Sequence, residues 1–223
     1  RTHYSQADHS LVGDWANQPP SETITYDTRG NVISTQDASG AKTFFYYDDL
    51  DRKVVEIDAL GTYTAYEYDA NSNVTRIRIF EDQVDPASLS HEGGSQEQAA
   101  AAPIGNARET VFFYDALNRL TKSSVVLPSG YQVGDFNRSQ TNPSWSSSTP
   151  ATLDTEYEYD ANGNVVKAID PNGNATYAYY DKLGRKIGQV DALGAYTKWE
   201  YDSEGNVLTE TQFGVEVSNP ALG

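Results

Sequence analysis

The stretch Thr155-Glu156-Tyr157-Glu158-Tyr159-Asp160-Ala161-Asn162-Gly163-Asn164-Val165-Val166-Lys167-Ala168-Ile169 decides the fold. Up to Tyr159 the residues alternate with the period of two that marks a half-buried strand. Asp160 to Asn164 then read as a turn. Gly163 can take a left-handed backbone without a Cβ penalty, and the Asp160 carboxylate is placed to accept backbone N–H groups across the turn. The β-branched run from Val165 to Ile169 is the return strand. A second turn, Asp170-Pro171-Asn172-Gly173, closes the unit.

This unit recurs along the chain. Tyr-Asp pairs stand at Tyr26-Asp27, Tyr47-Asp48, Tyr68-Asp69, Tyr114-Asp115, Tyr159-Asp160, Tyr180-Asp181 and Tyr201-Asp202, spaced by 21, 21, 46, 45, 21 and 21 residues. Four residues after each Tyr comes Gly30, Asp51, Ser72, Asn118, Gly163, Gly184 or Gly205, types suited to a turn. Second turns repeat as Asp37 to Gly40, Asp58 to Gly61, Asp170 to Gly173 and Asp191 to Gly194. The expectation is an all-β fold of antiparallel β-hairpin repeats, about 21 residues and two strands each, stacked into a curled or spiralling sheet. Residues 1–22 are an N-terminal flank able to cap the first edge, 23–214 the seven-repeat array, and 215–223 a C-terminal tail.

Two positions before each Tyr stand Ile24, Phe45, Tyr66, Phe112, Tyr157, Ala178 and Trp199, on the same strand face as that tyrosine. Stacked repeats would align them into an aromatic ladder that holds the sheet without a conventional core. The repeats also alternate in kind. Thr25, Glu67, Glu158 and Glu200 precede the Tyr in one kind, and Tyr46, Phe113 and Tyr179 in the other. Five residues after it, Asn31, Asn73, Asn164 and Asn206 alternate with Arg52, Arg119 and Arg185. This pattern leads to the expectation that each Arg reaches a Glu of the neighbouring repeat, Arg52 to Glu67 or Arg185 to Glu200.

The motifs Tyr157 to Asn164 and Tyr179 to Arg185 resemble YD repeats of the Rhs family, and the resemblance spans about residues 23–214. It implies a long β-hairpin strip that spirals into a hollow shell, as in toxin-complex cocoons, Rhs effectors and teneurin barrels, enclosing or presenting a C-terminal toxin. Asp170-Pro171-Asn172-Gly173 resembles part of the family's self-cleavage motif, but its mid-array position reads as an ordinary turn. Seven repeats are too few to enclose a protein-sized cavity, so an open arc is expected. Arg1-Thr2-His3-Tyr4 carries no initiator Met or leader pattern, and the chain reads as a piece of a longer one.

Composition narrows the partners. Thirty-two acidic against sixteen basic residues give a net charge of −16, which repels nucleic acid and anionic membrane surfaces. No apolar run is long enough to span a membrane. Mean hydropathy is −0.62, yet 16 Tyr, 7 Phe and 3 Trp supply apolar area. Cysteine and methionine are absent, which suits an oxidising, secreted or surface setting, bacterial by the resemblance. The partners implied are further repeats and a C-terminal domain of the same parent chain.

Two insertions, about 83–107 and 128–153, break the period. The first reads as one helical turn in an otherwise flexible stretch. The second is rich in Ser, Thr, Asn and Pro. They are candidate sites for a glycan or protein partner, with Tyr131, Phe136 and Trp145 as anchors, or else they cap an open edge. No catalytic set stands out: His3, His9 and His91 lack ligand spacing or a paired nucleophile, and no carboxylate differs from its counterparts in other repeats. No Asp-x-Asp-x-Asp-Gly loop marks a calcium site. The reading is therefore non-catalytic, with no cofactor or metal. A shell segment leads, ahead of a surface recognition module and a glycan-active enzyme.

Overall fold

The computed structural model describes residues 22–89, 92–99, 101–103, 105–127 and 151–214. They form β1 Glu22–Tyr26, β2 Val32–Asp37, β3 Lys42–Tyr47, β4 Lys53–Ile57, β5 Tyr63–Tyr68, β6 Val74–Phe80, β7 Gly94–Ser95, β8 Ala107–Tyr114, β9 Leu120–Val126, β10 Thr152–Tyr159, β11 Val165–Ile169, β12 Ala175–Tyr180, β13 Lys186–Val190, β14 Tyr196–Tyr201 and β15 Val207–Phe213. Two single 3-10 turns, Pro86–Ser88 and Gln96–Gln98, are the only helical pieces among the described residues. The fold is all-β, built of antiparallel hairpins in chain order as the repeat predicts.

The chain divides into two compact units, 1–65 with 80–105 and 66–79 with 106–223. In the first, β1 to β5 pair in sequence order. In the second, β8 to β15 do the same.

Both turn types share one design. In the turn after Tyr159 the Gly163 N–H reaches the Asp160 carbonyl at 3.2 Å, the Asp160 N–H reaches the Asn164 carbonyl at 3.0 Å, and Gly163 has φ +89°. This is a turn followed by one left-handed residue. The second turn at Asp170 repeats these bonds at 2.9 and 2.9 Å, so Asp170-Pro171-Asn172-Gly173 is an ordinary hairpin turn.

The hairpins differ in one respect. Those closed by the Tyr-Asp turn carry a β-bulge: Tyr159 pairs with Val165 but Glu158 pairs with Lys167, leaving Val166 unpaired. The same skip leaves out Ile33, Val54, Thr121, Ile187 and Leu208. The second-turn hairpins β2–β3, β11–β12 and β13–β14 run without one. Parity requires this. Paired residues share a face and faces alternate along a strand, so an odd period of 21 would flip successive tyrosines to opposite faces. One unpaired residue per repeat restores the even count.

The face opposite the repeated tyrosines is treated differently in the two units. In the first, Phe44, Tyr46, Val55, Ile57 and Tyr63 are buried beneath the segment that follows Phe80. The Val84 N–H donates to the Gly61 carbonyl at 2.8 Å, the Gly93 N–H meets the Tyr46 hydroxyl, and Gly94 and Ser95 pair parallel with Tyr46 and Tyr47. Tyr63 meets Phe80 edge to face at 5.4 Å. This corrects two expectations. The first insertion holds two 3-10 turns and a short strand, and it covers a sheet face. The first unit has a small true core, where burial stabilises by about 1.5–3 kcal/mol per large apolar side chain. In the second unit the same face carries ion pairs, Lys167 with Glu158 at 2.8 Å, Arg76 with Glu109 at 3.3 Å, and Lys122 with Asp154.

Deleting Ile187 should remove the parity correction and turn Tyr201 to the wrong face. Its melting temperature should fall well below that of Ile187→Ala, which removes only a partly exposed side chain and costs under about 1 kcal/mol. Equal melting of the two variants by circular dichroism would refute the parity argument.

Candidate functional site

The repeated dipeptide sits at a strand end and a turn start. Tyr26, Tyr47, Tyr68, Tyr114, Tyr159, Tyr180 and Tyr201 are the last residues of β1, β3, β5, β8, β10, β12 and β14. Asp27, Asp48, Asp69, Asp115, Asp160, Asp181 and Asp202 follow them into the turns. One oxygen of each Asp caps the turn: Asp160 Oδ1 accepts from the Asn162 and Asn164 N–H groups at 2.9 and 2.8 Å. Its Oδ2 accepts the Asn164 side-chain amide at 2.8 Å. In the other kind of repeat an arginine takes that place, as Arg185 Nε does on Asp181 at 2.7 Å and Arg52 on Asp48 at 2.7 Å. The alternating Asn and Arg thus first complete their own turn.

They also reach the next repeat. The Arg119 guanidinium lies 4.7 Å from the Tyr159 ring centre and its Nη1 donates to the Asp160 carbonyl at 3.0 Å. Arg185 does the same at Tyr201, 4.9 Å, and at the Asp202 carbonyl, 3.1 Å. Asn31 donates to Asp51 at 2.8 Å and Asn73 to Asn118 at 3.0 Å. The expected Arg185–Glu200 pair is therefore corrected. Glu200 is held by Lys198 at 2.7 Å and Thr209 at 3.1 Å, because it lies on the opposite face from Tyr201. Glu67 likewise pairs with Arg76 at 3.4 Å and with Arg78, while Arg52 is held by Asp48.

The tyrosine hydroxyls make the second link. Tyr47 donates to the Val32 carbonyl at 2.8 Å, Tyr114 to Val74 at 2.9 Å, Tyr159 to Leu120 at 2.7 Å, Tyr180 to Val165 at 3.1 Å and Tyr201 to Lys186 at 2.7 Å. The acceptor is always the residue six places after the preceding repeated Tyr, next to the bulge. There the regular ladder stops, as β2 and β3 pair only from Ser34 with Phe44 outward. A carbonyl left without its strand partner would cost about 1–3 kcal/mol if buried unpaired, and the phenol fills that need. The expected ladder of stacked phenols is in this respect a ladder of hydroxyl–carbonyl bonds with arginines between rings. Ring pairs do form at Tyr63–Phe80 and Tyr196–Phe213, and neither contains a tyrosine of the dipeptide.

These contacts set the acid–base properties. Burial pushes the Tyr47, Tyr114 and Tyr159 phenols above their ordinary value. The Arg119 and Arg185 N–H groups hold Asp115 and Asp181 below the usual aspartate range, and the Asn164 and Asn206 amides do so for Asp160 and Asp202. Among the described residues no group of three or more His, Asp or Glu is placed to hold a metal. Tyr131, Phe136 and Trp145, with His3, His9 and His91, lie outside the described residues. Sequence reasoning missed the bulge and the phenol acceptor. The odd period was the available signal for the first.

Tyr180→Phe should cost about 0.5–1.5 kcal/mol by losing one hydrogen bond, whereas Tyr26→Phe, whose hydroxyl has no acceptor among the described residues, should cost under about 0.5 kcal/mol. Urea titration separates the two. The aspartates bind protons less tightly folded than unfolded, so their contribution is complete above about pH 4 and is lost as pH falls through the depressed folded values. Thermal melting should hold steady from neutral pH to about pH 5 and drop below about pH 4, with the drop reduced in Asp160→Asn.

The RHS Repeat family model matches residues 47–79, 146–175, 159–195 and 180–214. No curated protein matches the chain. Among solved structures, those titled "Crystal Structure of TcdB2-TccC3-TEV" and "Crystal Structure of TcdB2-TccC3-Cdc42" align at 15% identity and TM-score 0.39, each over 86% of this chain. The chain spans only 12% and 11% of those chains. The segments 47–79 and 146–214 of the sequence thus match the RHS repeat family model, and the matches fall on the tyrosine–aspartate repeats of Tyr47, Tyr68, Tyr159, Tyr180 and Tyr201.

Proposed function

We propose that the chain is a non-catalytic segment of a secreted or surface-exposed RHS-repeat protein, forming part of a β-shell or scaffold that encloses or presents a toxin or other C-terminal domain of the same parent. The observation that carries this reading is the consumption of the repeated groups by the repeat itself. Where a repeated phenol is bonded it serves the preceding hairpin, the carboxylates serve their own turns, and the arginines serve the following one. Groups so engaged brace a wall. They are not free to turn over a substrate. The net charge of −16 fits a soluble surface that avoids nucleic acid and anionic lipid.

One observation favours the second reading, a recognition module for glycan or protein. Leucines project from the turn tips, Leu50 and Leu60 in the first unit and Leu117, Leu183 and Leu193 in the second, all largely exposed. Such apolar tips suit a protein partner better than a sugar.

Limited proteolysis of the full-length parent tests the first reading. The domain downstream of the repeats should resist protease in the intact chain and become sensitive when Tyr159, Tyr180 and Tyr201 are replaced together by Ala. Digestion of that domain at the same rate in both would reject enclosure. Partner capture that is lost on replacing Leu117 and Leu183 of the second unit by Ser would favour the recognition module instead.

A further inference from the structure

Beside the bulge at Ile33 the strands β2 and β3 part. Their pairing ends at Ser34 with Phe44, while β4 keeps the other edge of β3 as far as Tyr47. The edge that β2 has left is open over Tyr46 and Tyr47, and another strand must pair with it or its peptide groups turn to water. The chain's own Gly94 and Ser95 take the place, parallel to Tyr46 and Tyr47. The fit is close. A Cβ on Gly93 would run into the Ile33 carbonyl oxygen, and Gly93 and Gly94 have φ +93° and +129°, so the slot takes a glycine pair. The Gly93 N–H donates to the Tyr46 hydroxyl, and Tyr46 is wholly buried.

The second unit repeats the frame. Pairing of β11 with β12 ends at Lys167 with Tyr177, and β13 keeps the other edge of β12 as far as Tyr180. Val165-Val166 stands for Val32-Ile33, with Val166 the bulge residue, and Tyr179-Tyr180-Asp181 repeats Tyr46-Tyr47-Asp48 letter for letter. A phenol crosses each gap in the same way, Tyr47 to the Val32 carbonyl at 2.8 Å and Tyr180 to the Val165 carbonyl at 3.1 Å. What differs is the occupant. Among the described residues no strand pairs with the β11-side edge of Tyr179 and Tyr180, and Tyr179 is partly exposed where Tyr46 is buried. Gly93-Gly94 is the one Gly-Gly in the sequence, and the first unit already uses it. A glycine pair for the second slot has to come from outside this sequence.

We propose that the slot between β11 and β12, framed by the Val166 carbonyl, the main-chain edge of Tyr179 and Tyr180 and the Tyr179 hydroxyl, binds an extended Gly-Gly-Ser segment of a partner protein, laid parallel to β12. Main-chain bonds give such strand addition its affinity, and the demand for two residues of positive φ against a backbone carbonyl gives it selectivity. Ala175 stands where Lys42 pairs with Glu92 at 2.7 Å in the first unit, so the partner segment needs no acidic residue before its glycines. The site does not depend on the array enclosing anything, and its failure would leave the scaffold reading untouched.

The probe is a fluorescent peptide with the sequence of residues 92–99 carrying Glu92→Gln, titrated into the intact chain and followed by anisotropy and by the chain's amide NMR shifts. Binding should saturate, with the shifts concentrated at Val166, Tyr179 and Tyr180. In Tyr179→Phe the affinity should fall about threefold to tenfold, the effect of losing one hydrogen-bond acceptor. Gly93→Ala in the peptide should abolish binding, because the added Cβ would meet the Val166 carbonyl. Absence of binding, shifts that leave Val166, Tyr179 and Tyr180 unmoved, unchanged affinity in Tyr179→Phe, or equal binding of the Gly93→Ala peptide would overturn the proposal.

Discussion

A phenol hydroxyl bonded to a carbonyl of the preceding hairpin is the interaction on which the array rests. Main-chain pairing alone would bring the strands together, but it leaves a gap beside every bulge, because the unpaired residue breaks the ladder there. Tyrosine has the reach to close that gap and a hydroxyl to donate, so the same residue that ends one strand repairs the one before it. The bond survives the long spacing between copies: Tyr114 finds Val74 and Tyr159 finds Leu120 across 40 and 39 residues, as surely as Tyr201 finds Lys186 across 15. Extra chain can leave the second-turn end of a hairpin without disturbing its Tyr-Asp end.

The aspartate contributes differently. Its two oxygens satisfy the turn N–H groups and orient the residue four places on, so that an asparagine or arginine leaves the turn already aimed at the next copy. This is pre-organisation more than gross energy. Exposed ion pairs of this kind are worth little singly, about 0–1 kcal/mol, but a guanidinium fixed by one carboxylate loses less freedom when it stacks on the next ring. The alternation of Asn and Arg therefore gives the junctions between repeats two chemistries and penalises a slip by one copy.

Much of this was legible in the letters. The period, the turns, the strand assignments and the left-handed position four after each Tyr all follow from local rules, and local rules suffice because each hairpin is nearly self-contained. Even Asp51, Ser72 and Asn118, which are not glycine, take φ near +60° as their position demands. Arg185 shows where such reasoning stops. Its alternation was visible and its reach into the next repeat was expected, yet Glu200 was the wrong partner, because the odd number of residues and the bulge together decide which face Glu200 occupies. The cover over Tyr46 was illegible for another reason: Gly93 and Gly94 are recognisable as a strap only once Ile33 and Tyr46 are seen beside them.

The phenol bonds also have a direction. In each one the donor lies later in the chain than the acceptor. A hairpin leaving the ribosome thus finds its docking point already made, and needs nothing still to be synthesised. Growth from the N-terminus can proceed by clicking each new copy onto a finished edge, without holding a long unpaired ribbon in solution. For a protein dominated by strands, whose usual hazard is a sticky intermediate waiting for distant partners, that ordering shortens the wait to a single repeat.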